Sequence, residues 1–446
     1  MCTMVVVGKT GTADGSTIIY HNEEVPPTTA QRLNIVDDTK HTDDTRKCGF
    51  ETIPQIPATY RHIGDRYWSG AYPPGDWVTG MNKFGLIVVS NAQQSKEKSL
   101  AANKGVTYFD MTEVVIERAR TAQQAVIILS SLIDKYGVAG HFANNCWVIA
   151  DQKNAWYVEA SIRHWVGRRI RENELMVIGN RYLIDTEWEL SSRDLIKYAT
   201  SQGWFSKNSG KQFSWKDVYG DPINQNLAWL VNREKRMKDL LTRKWGEITL
   251  RDCFEAMRDH SEEHKPGYPS PHETPTIDTL STDSTREKFA LCSGLSVFGV
   301  VFHLRSWLPR EIGVVMWYRM AAACSSINLP VYAGITELPA VYTMDLTNEP
   351  DQISAWWCFK FLMDSVDKNY AKWNPSVRRA WFNIEKRMLK ETSKLEETAL
   401  EAYRSGKTRL VEELLTRYTY RNLMIAYRQA NSFNKQLQCS VMNSKE

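Results

Sequence analysis

Apolar runs of four to six residues, separated by turn-rich stretches, fill much of the first half of the chain. Residues 3–8 and 16–20 flank a turn-rich segment, 9–15, and this pattern predicts a hairpin. Residues 85–90 (GLIVVS) predict another strand. Residues 146–150, 155–160, 165–170 and 176–179 follow at close spacing with turn residues between them. That spacing predicts an antiparallel meander rather than a βαβ series. Two helices are expected between these strand groups. One covers 110–120. The other follows Thr121-Ala-Gln-Gln124, which has the form of a capping box, and runs to Tyr136, where Gly137 stops it. Residues 203–290 are mixed: a polar loop, a helix near 251–264, then a loop over 265–283 with four prolines, too long for a plain connector. Strand pattern returns near 298–304, 313–317 and 329–333. From 351 to 435 the pattern is helical and charged. Trp356, Trp357, Phe359 and Phe361 crowd its start, and Trp381, Ile384, Met388 and Leu389 recur at helical spacing, as packing stripes do.

Composition adds exclusions. The net charge of +4, with 24% charged residues, is not the footprint of a nucleic-acid binder. The densest basic run, Arg168-Arg169-Ile170-Arg171, alternates as a solvated strand face would. Lys9 interrupts the first apolar run before a signal-peptide core forms, and no apolar stretch has the length of a membrane span. A soluble, cytoplasmic protein is the expectation. The eight cysteines are scattered without a Cys-x-x-Cys pair, which argues against a zinc ribbon or a thioredoxin-type site. Most are expected to be reduced packing residues.

Cys2 stands apart because of its position. Initiator methionine is generally removed before a small residue, and Cys2 would then carry a free α-amine. That amine titrates near 7.7–8.0 and a free thiol near 8.5 in reference peptides, so one residue supplies a nucleophile and a base of matched basicity. The strand that follows would hold the thiol still. The polar cluster His21-Asn22-Glu23-Glu24, at the end of the next strand, would bring polar groups to it.

The opening CTMVVVGKTGTADGSTIIYHNEE resembles the start of the dipeptidase A family of N-terminal nucleophile hydrolases. Further motifs agree in the same order: Gly80-Met-Asn-Lys-Phe-Gly-Leu86, Glu117-Arg-Ala-Arg-Thr-Ala122, Ala155-Trp-Tyr-Val-Glu159, Arg163-His-Trp-Val166, Val177-Ile-Gly-Asn-Arg181 and Tyr219-Gly-Asp-Pro222. The resemblance implies an α+β fold, a four-layer αββα sandwich over residues 2–345 with a C-terminal helical region, 346–446, packed on it. It implies amide hydrolysis through an acyl-enzyme, without a metal or other cofactor. It extends more distantly to penicillin V acylase and bile salt hydrolase. In those relatives an asparagine at the end of a later strand donates to the oxyanion, and Asn180 is the matching position. Asn91 is a further oxyanion or substrate contact.

The chain departs from the family pattern at His21, where the family has arginine, and at Glu24, where it has aspartate. In the acylases those positions contact the thiol and the α-amine. His21, Asn22 and Glu24 are therefore expected to line the substrate site. The run Ser90-Asn91-Ala92-Gln93 lacks the family's acidic residue, which would hold a substrate ammonium. Arg286 and Arg305 both remain open as the counterpart of a late arginine. The expected partner is a small peptide or amide, not nucleic acid or a membrane, and a homo-oligomer is left open. Three other readings stand beside a dipeptidase. One is an N-acyl amide hydrolase. Another is an inactive, secernin-like interaction protein. The third is a metallopeptidase built on His260-Ser-Glu-Glu-His264, although the glutamate does not directly follow the first histidine as zinc helices require.

Overall fold

The structure is a computed structural model that describes residues 2–26, 28–68, 76–97, 104–140, 144–260 and 291–442. Two antiparallel sheets dominate it. The strands that build them are β1 (Thr3–Val7), β2 (Thr17–Glu24), β3 (Gln31–Val36), β4 (His62–Tyr67), β5 (Trp77–Asn82), β6 (Ile87–Ala92), β7 (Asn145–Ala150), β8 (Ala155–Ala160), β9 (Trp165–Arg169), β10 (Leu175–Ile178), β11 (Leu190–Ser191), β12 (Ser296–Leu304), β13 (Val314–Met320) and β14 (Leu329–Tyr332). The eight-stranded sheet runs β11-β9-β8-β7-β6-β5-β4-β3, and the six-stranded sheet runs β10-β1-β2-β12-β13-β14.

The expected meander is present with one correction. β7, β8 and β9 pair in sequence, but β10 leaves that sheet and pairs with β1 in the other. Nothing local in the sequence signals the switch, because β10 carries the same short apolar pattern as its predecessors. The hairpin of β1 and β2 forms as expected, yet β2 continues to Glu24, so the polar cluster lies inside the strand rather than after it. All five residues of β1 are buried, and so are seven of the eight in β2, since both are interior strands covered on two faces.

Helices cover the outer face of each sheet. On the eight-stranded side, α1 (Tyr108–Arg118) lies over β5 and β6, and α2 (Ala122–Tyr136) over β7 and β8. Gly64 and Gly80 face each other across β4 and β5, where α1 comes close. A Cβ at Gly80 would sit 2.6 Å from the Ile63 carbonyl oxygen and 3.3 Å from Ile116 Cδ1. Thr121 caps α2 by accepting from the Gln124 backbone N–H. The Gln124 side chain, however, accepts from Arg120 N–H at 2.9 Å, so the reciprocal half of the box falls one residue early. Gly137 ends the helix at φ +76°.

On the six-stranded side lie α3 (Ala228–Thr242) and α4 (Leu250–Ala256). The helix expected over 251–264 stops at Ala256. Beyond it, Arg258 turns inward to the Ala323 carbonyl and Glu385, and the Asp259 carbonyl accepts from Cys292 N–H. Residues 261–290, with Arg286, His264 and the proline-rich stretch, lie outside the described residues.

The C-terminal helices are α5 (Ala355–Asp367), α6 (Tyr370–Arg404) and α7 (Thr408–Met442). Trp356, Trp357, Phe359 and Trp381 are all buried. Trp381 Nε1 donates to the Ser325 carbonyl at 2.9 Å, and α7 packs on β14. Arg168, Arg169 and Arg171 pair with Glu174, Glu189 and Glu187 at the surface. Among the described residues no helix is long and apolar enough to cross a membrane.

Candidate active site

Register builds the site. β1 pairs with β10 such that Met4 faces Ile178, and with β2 such that Thr3 faces Asn22. Two residues earlier, Cys2 therefore stands level with Asn180 on one side and one residue from the Thr3–Asn22 pair on the other. Its backbone N–H donates to Asn180 Oδ1 at 3.0 Å, and its thiol donates to Glu23 Oε2 at 3.2 Å.

Strand alternation then sorts the polar cluster of β2 into two faces. Glu23 and His21 share the thiol's side. Glu23 Oε2 lies 3.2 Å from His21 Nε2, and its other oxygen accepts from the Tyr67 hydroxyl of β4. Asn22 and Glu24 point to the opposite face. Asn22 Nδ2 donates to Ser296 Oγ, the Leu291 carbonyl and Glu24 Oε1, while its Oδ1 accepts from Arg319 at 2.6 Å. Gly299 leaves room for that guanidinium, since any Cβ there would collide with it.

Arg233 completes the arrangement. This fully buried α3 residue donates to Glu24 Oε2 at 2.9 Å, to the Cys2 carbonyl at 2.9 Å and to Asn180 Oδ1 at 2.8 Å. Trp229, one turn earlier, places its ring 5.3 Å from the guanidinium carbon. Of the two late arginines left open, Arg305 is elsewhere, paired with Glu396 of α6.

The two asparagines bridge the sheets. Asn180 Nδ2 donates to Asn91 Oδ1 at 3.0 Å and to the Ala92 carbonyl at 2.9 Å, both on β6. Asn91 Nδ2 donates to the Gly179 carbonyl at 2.8 Å. Two donors reach Asn180 Oδ1 and both amide hydrogens are committed, so towards Cys2 this residue is an acceptor. It holds the backbone nitrogen and offers no donor for an oxyanion in this arrangement. Asn91, with one amide hydrogen given to Gly179, retains a second.

The electrostatics follow from burial. Burial pushes the Cys2 thiol well up, and the Glu23 carboxylate pushes it further; positive charge at the chain's amino end works the other way. A thiol held up in this way needs a base to become a nucleophile. Burial also raises the Glu23 carboxyl, but hydrogen bonding and charge from His21, together with the Tyr67 hydroxyl, outweigh it and leave Glu23 below its ordinary value. Glu23 is thus an anion, suited to orient the S–H and too weak a base to take its proton. Burial lifts the Glu24 carboxyl to about 7, with Arg233 opposing.

Arg233 escapes a reading of the sequence, and Glu23 is read only as one of a polar cluster, with His21, Asn22 and Glu24 expected at the substrate instead. Arg233 left a signal: Leu230, Arg233, Glu234, Met237 and Leu241 share one helical stripe, and all are buried. A charged pair inside an otherwise apolar stripe marks a buried polar contact.

Two opposed sheets under outer helices, with a cysteine ending a central strand beside a buried arginine and paired asparagines, define a hydrolase of the cysteine type. Residues 1–383 match Peptidase family C69, and the chain belongs to that family. It is 20% identical over 399 residues to a probable dipeptidase A from Streptococcus pyogenes serotype M3 (strain SSI-1), covering 83% of each chain. It is 22% identical over 420 residues to dipeptidase A from Lactobacillus helveticus, covering 83% of this chain and 82% of that one. Among solved structures, penicillin V acylase from Agrobacterium tumefaciens is similar at TM-score 0.41 and 11% identity, over 74% of this chain and 86% of that one. A mutant conjugated bile acid hydrolase from Clostridium perfringens is similar at TM-score 0.37 and 12% identity, over 72% and 89%. The protein is a peptidase that cleaves amide bonds.

Proposed function

We propose that this chain is a metal-independent dipeptidase whose nucleophile is the thiol of Cys2, exposed as the first residue by removal of Met1. The observation that carries the proposal is the pair of contacts on Cys2: backbone nitrogen on Asn180 Oδ1 and thiol on Glu23 Oε2. The α-amine takes the thiol proton, and the thiolate forms a bond to the substrate carbonyl carbon. As the C–N bond breaks, the leaving amine receives that proton. Water then attacks the thioester carbon, giving one proton to the α-amine; the C–S bond breaks, the carboxylic acid leaves, and the amine returns the proton to sulfur. The Arg233 guanidinium, bound to the Cys2 carbonyl, sets a fixed positive charge beside the amine. Asn91, with an amide hydrogen beyond the one given to Gly179, is the donor assigned to the developing oxyanion. Dipeptides are the substrate class because both dipeptidase A relatives align over most of their length. A reducing, cytoplasmic compartment suits the free thiols of the described cysteines.

Intact mass should show a chain beginning at Cys2, and Cys2→Ala should abolish turnover with the fold retained. Activity in a chain that keeps Met1, or wild-type turnover in Cys2→Ala, would sink the mechanism. Parallel panels of dipeptides and N-acyl amino acids test the substrate, and a preference for the second panel would replace dipeptidase by N-acyl amide hydrolase.

A further inference from the structure

A second group of reactive side chains lies away from the thiol of Cys2. Among the described residues, the ligand atoms of His260, Cys292 and Cys324 all lie within 4.8 Å of one another. They come from three separate segments. His260 follows α4, Cys292 precedes β12, and Cys324 sits in the 3-10 turn Ala323–Ser325 after β13. Each segment is pinned by backbone contacts. Cys292 N–H donates to the Asp259 carbonyl at 3.1 Å. Arg258 Nε donates to the Ala323 carbonyl at 3.0 Å, and Asn374 Nδ2 to the Cys324 carbonyl at 3.1 Å. The two sulfurs are fully buried, and His260 is half-buried with its ring edge-on to Tyr370 at 5.9 Å. The Tyr370 hydroxyl hydrogen-bonds with Cys324.

We propose that His260, Cys292 and Cys324 form a binding site for a soft divalent cation of the zinc type, held by three protein ligands. The chemistry of the donors supports this. Two thiolates and an imidazole are a set that selects zinc over magnesium or calcium, and their ligand atoms lie close enough together to share one ion. Two thiolates cancel the ion's charge, so the occupied site is neutral and suits an apolar interior. A hydroxyl at Cys324 is the second partner that orients a metal-bound thiolate. The histidine-to-histidine reading of His260-Ser-Glu-Glu-His264 is thus not needed, because His260 finds its partners across the fold.

The site would tie three segments next to the active centre. Leu291, adjacent to Cys292, gives its carbonyl to Asn22, and Arg319, which also binds Asn22, lies within the electrostatic reach of both cysteines. The role is to hold these segments, not to take part in amide cleavage, so the inference stands or falls separately from the role of Cys2.

The full chain, purified under reducing conditions and loaded with zinc, should retain about one ion per chain after dialysis, measured by elemental mass spectrometry. Cobalt(II) in its place should give a thiolate-to-metal charge-transfer band and tetrahedral d–d bands. Cys292→Ser and Cys324→Ser should each lose both signals, while Cys2→Ala keeps them. Tyr370→Phe should weaken binding by roughly 10–100-fold. His260→Ala, at the half-buried position, decides the matter if the cysteine variants fail to fold, and it too should lose the signals. The proposal is overturned if the reduced wild-type chain takes up neither ion, if Cys2→Ala abolishes uptake, or if Cys292 and Cys324 prove to be joined by a disulfide in the active protein.

Discussion

At Asn180 a single side chain faces two demands, and its geometry says which one it meets. Its oxygen accepts from the Cys2 nitrogen and from Arg233, and its amide is spent on β6. As an acceptor it favours the charged form of the α-amine. Asn180→Ala should therefore shift the acid limb of the kcat/KM profile to lower pH, while misplacement of the amine lowers kcat on the order of 10²-fold. Asn180→Asp should move the limb the other way, because a carboxylate stabilises the ammonium. An unmoved limb in both variants would leave Asn180 a purely structural residue. Glu23 gives a second signed prediction. Its negative charge holds the thiol up, so Glu23→Gln should lower the pH at which Cys2 is alkylated in the folded protein. A rise in that pH would show that the carboxylate stabilises the thiolate instead. At this scale Cys2 was legible from its position, and Asn91 and Asn180 from family motifs. Glu23 and Arg233 were not, since their roles arise from a register and a helix face that only folding brings to the thiol.

Elements bring the site together through register and through buried ion pairs. The C-terminal helices are tied to the six-stranded side by Arg258 and Glu385 of α6, which are buried and paired at 2.6 and 3.1 Å, with Glu385 also accepting from Asn328 N–H and Nδ2. Removing one partner leaves a buried charge. Glu385→Ala should cost about 3–5 kcal/mol in urea unfolding. Arg258→Met combined with Glu385→Leu should cost less than the single change, because it leaves no unpaired arginine charge, although the Asn328 donors and the Ala323 and Ser326 carbonyls then lose a partner, at about 1–3 kcal/mol for each buried group left unsatisfied. A double variant weaker than Glu385→Ala would mean the pair is not an isolated buried charge couple. Periodicity marked β1, β2, β6 to β10, β12 to β14, α1, α2 and the C-terminal helices, but not β3, β4, β5, β11 or α3, and α4 stops at Ala256 because Arg258 and Asp259 are drawn into tertiary contacts. The partner of β10 was not readable, since a four-residue apolar strand fits either sheet equally well.

Across the whole molecule, the helices after residue 350 share the core of the sandwich. Trp356 Nε1 reaches the Val297 carbonyl at 3.4 Å, and Glu396 binds both Arg305 and Tyr332. A chain ended at residue 345 should therefore fail to fold. Near-UV circular dichroism and Cys2 alkylation would test this, and a truncated chain with wild-type signals in both would show an independent N-terminal domain. By itself the sequence marked ten of the strands, α1, α2, α4 and the C-terminal helices, because burial on one or two faces imprints periods of 2 and 3.6 on the chain, while the α+β class came from its motifs. It also singled out Cys2 as the candidate nucleophile, by position. The tertiary structure alone decided that β10 crosses to the six-stranded sheet and sets Asn180 level with Cys2. It alone turned Glu23 to the thiol and Glu24 away from it, carried Arg233 in on α3, and gathered His260, Cys292 and Cys324. Each of these joins residues far apart in the chain, and no local pattern encodes such a pairing. Only the simultaneous burial of both sheets under their helices selects it.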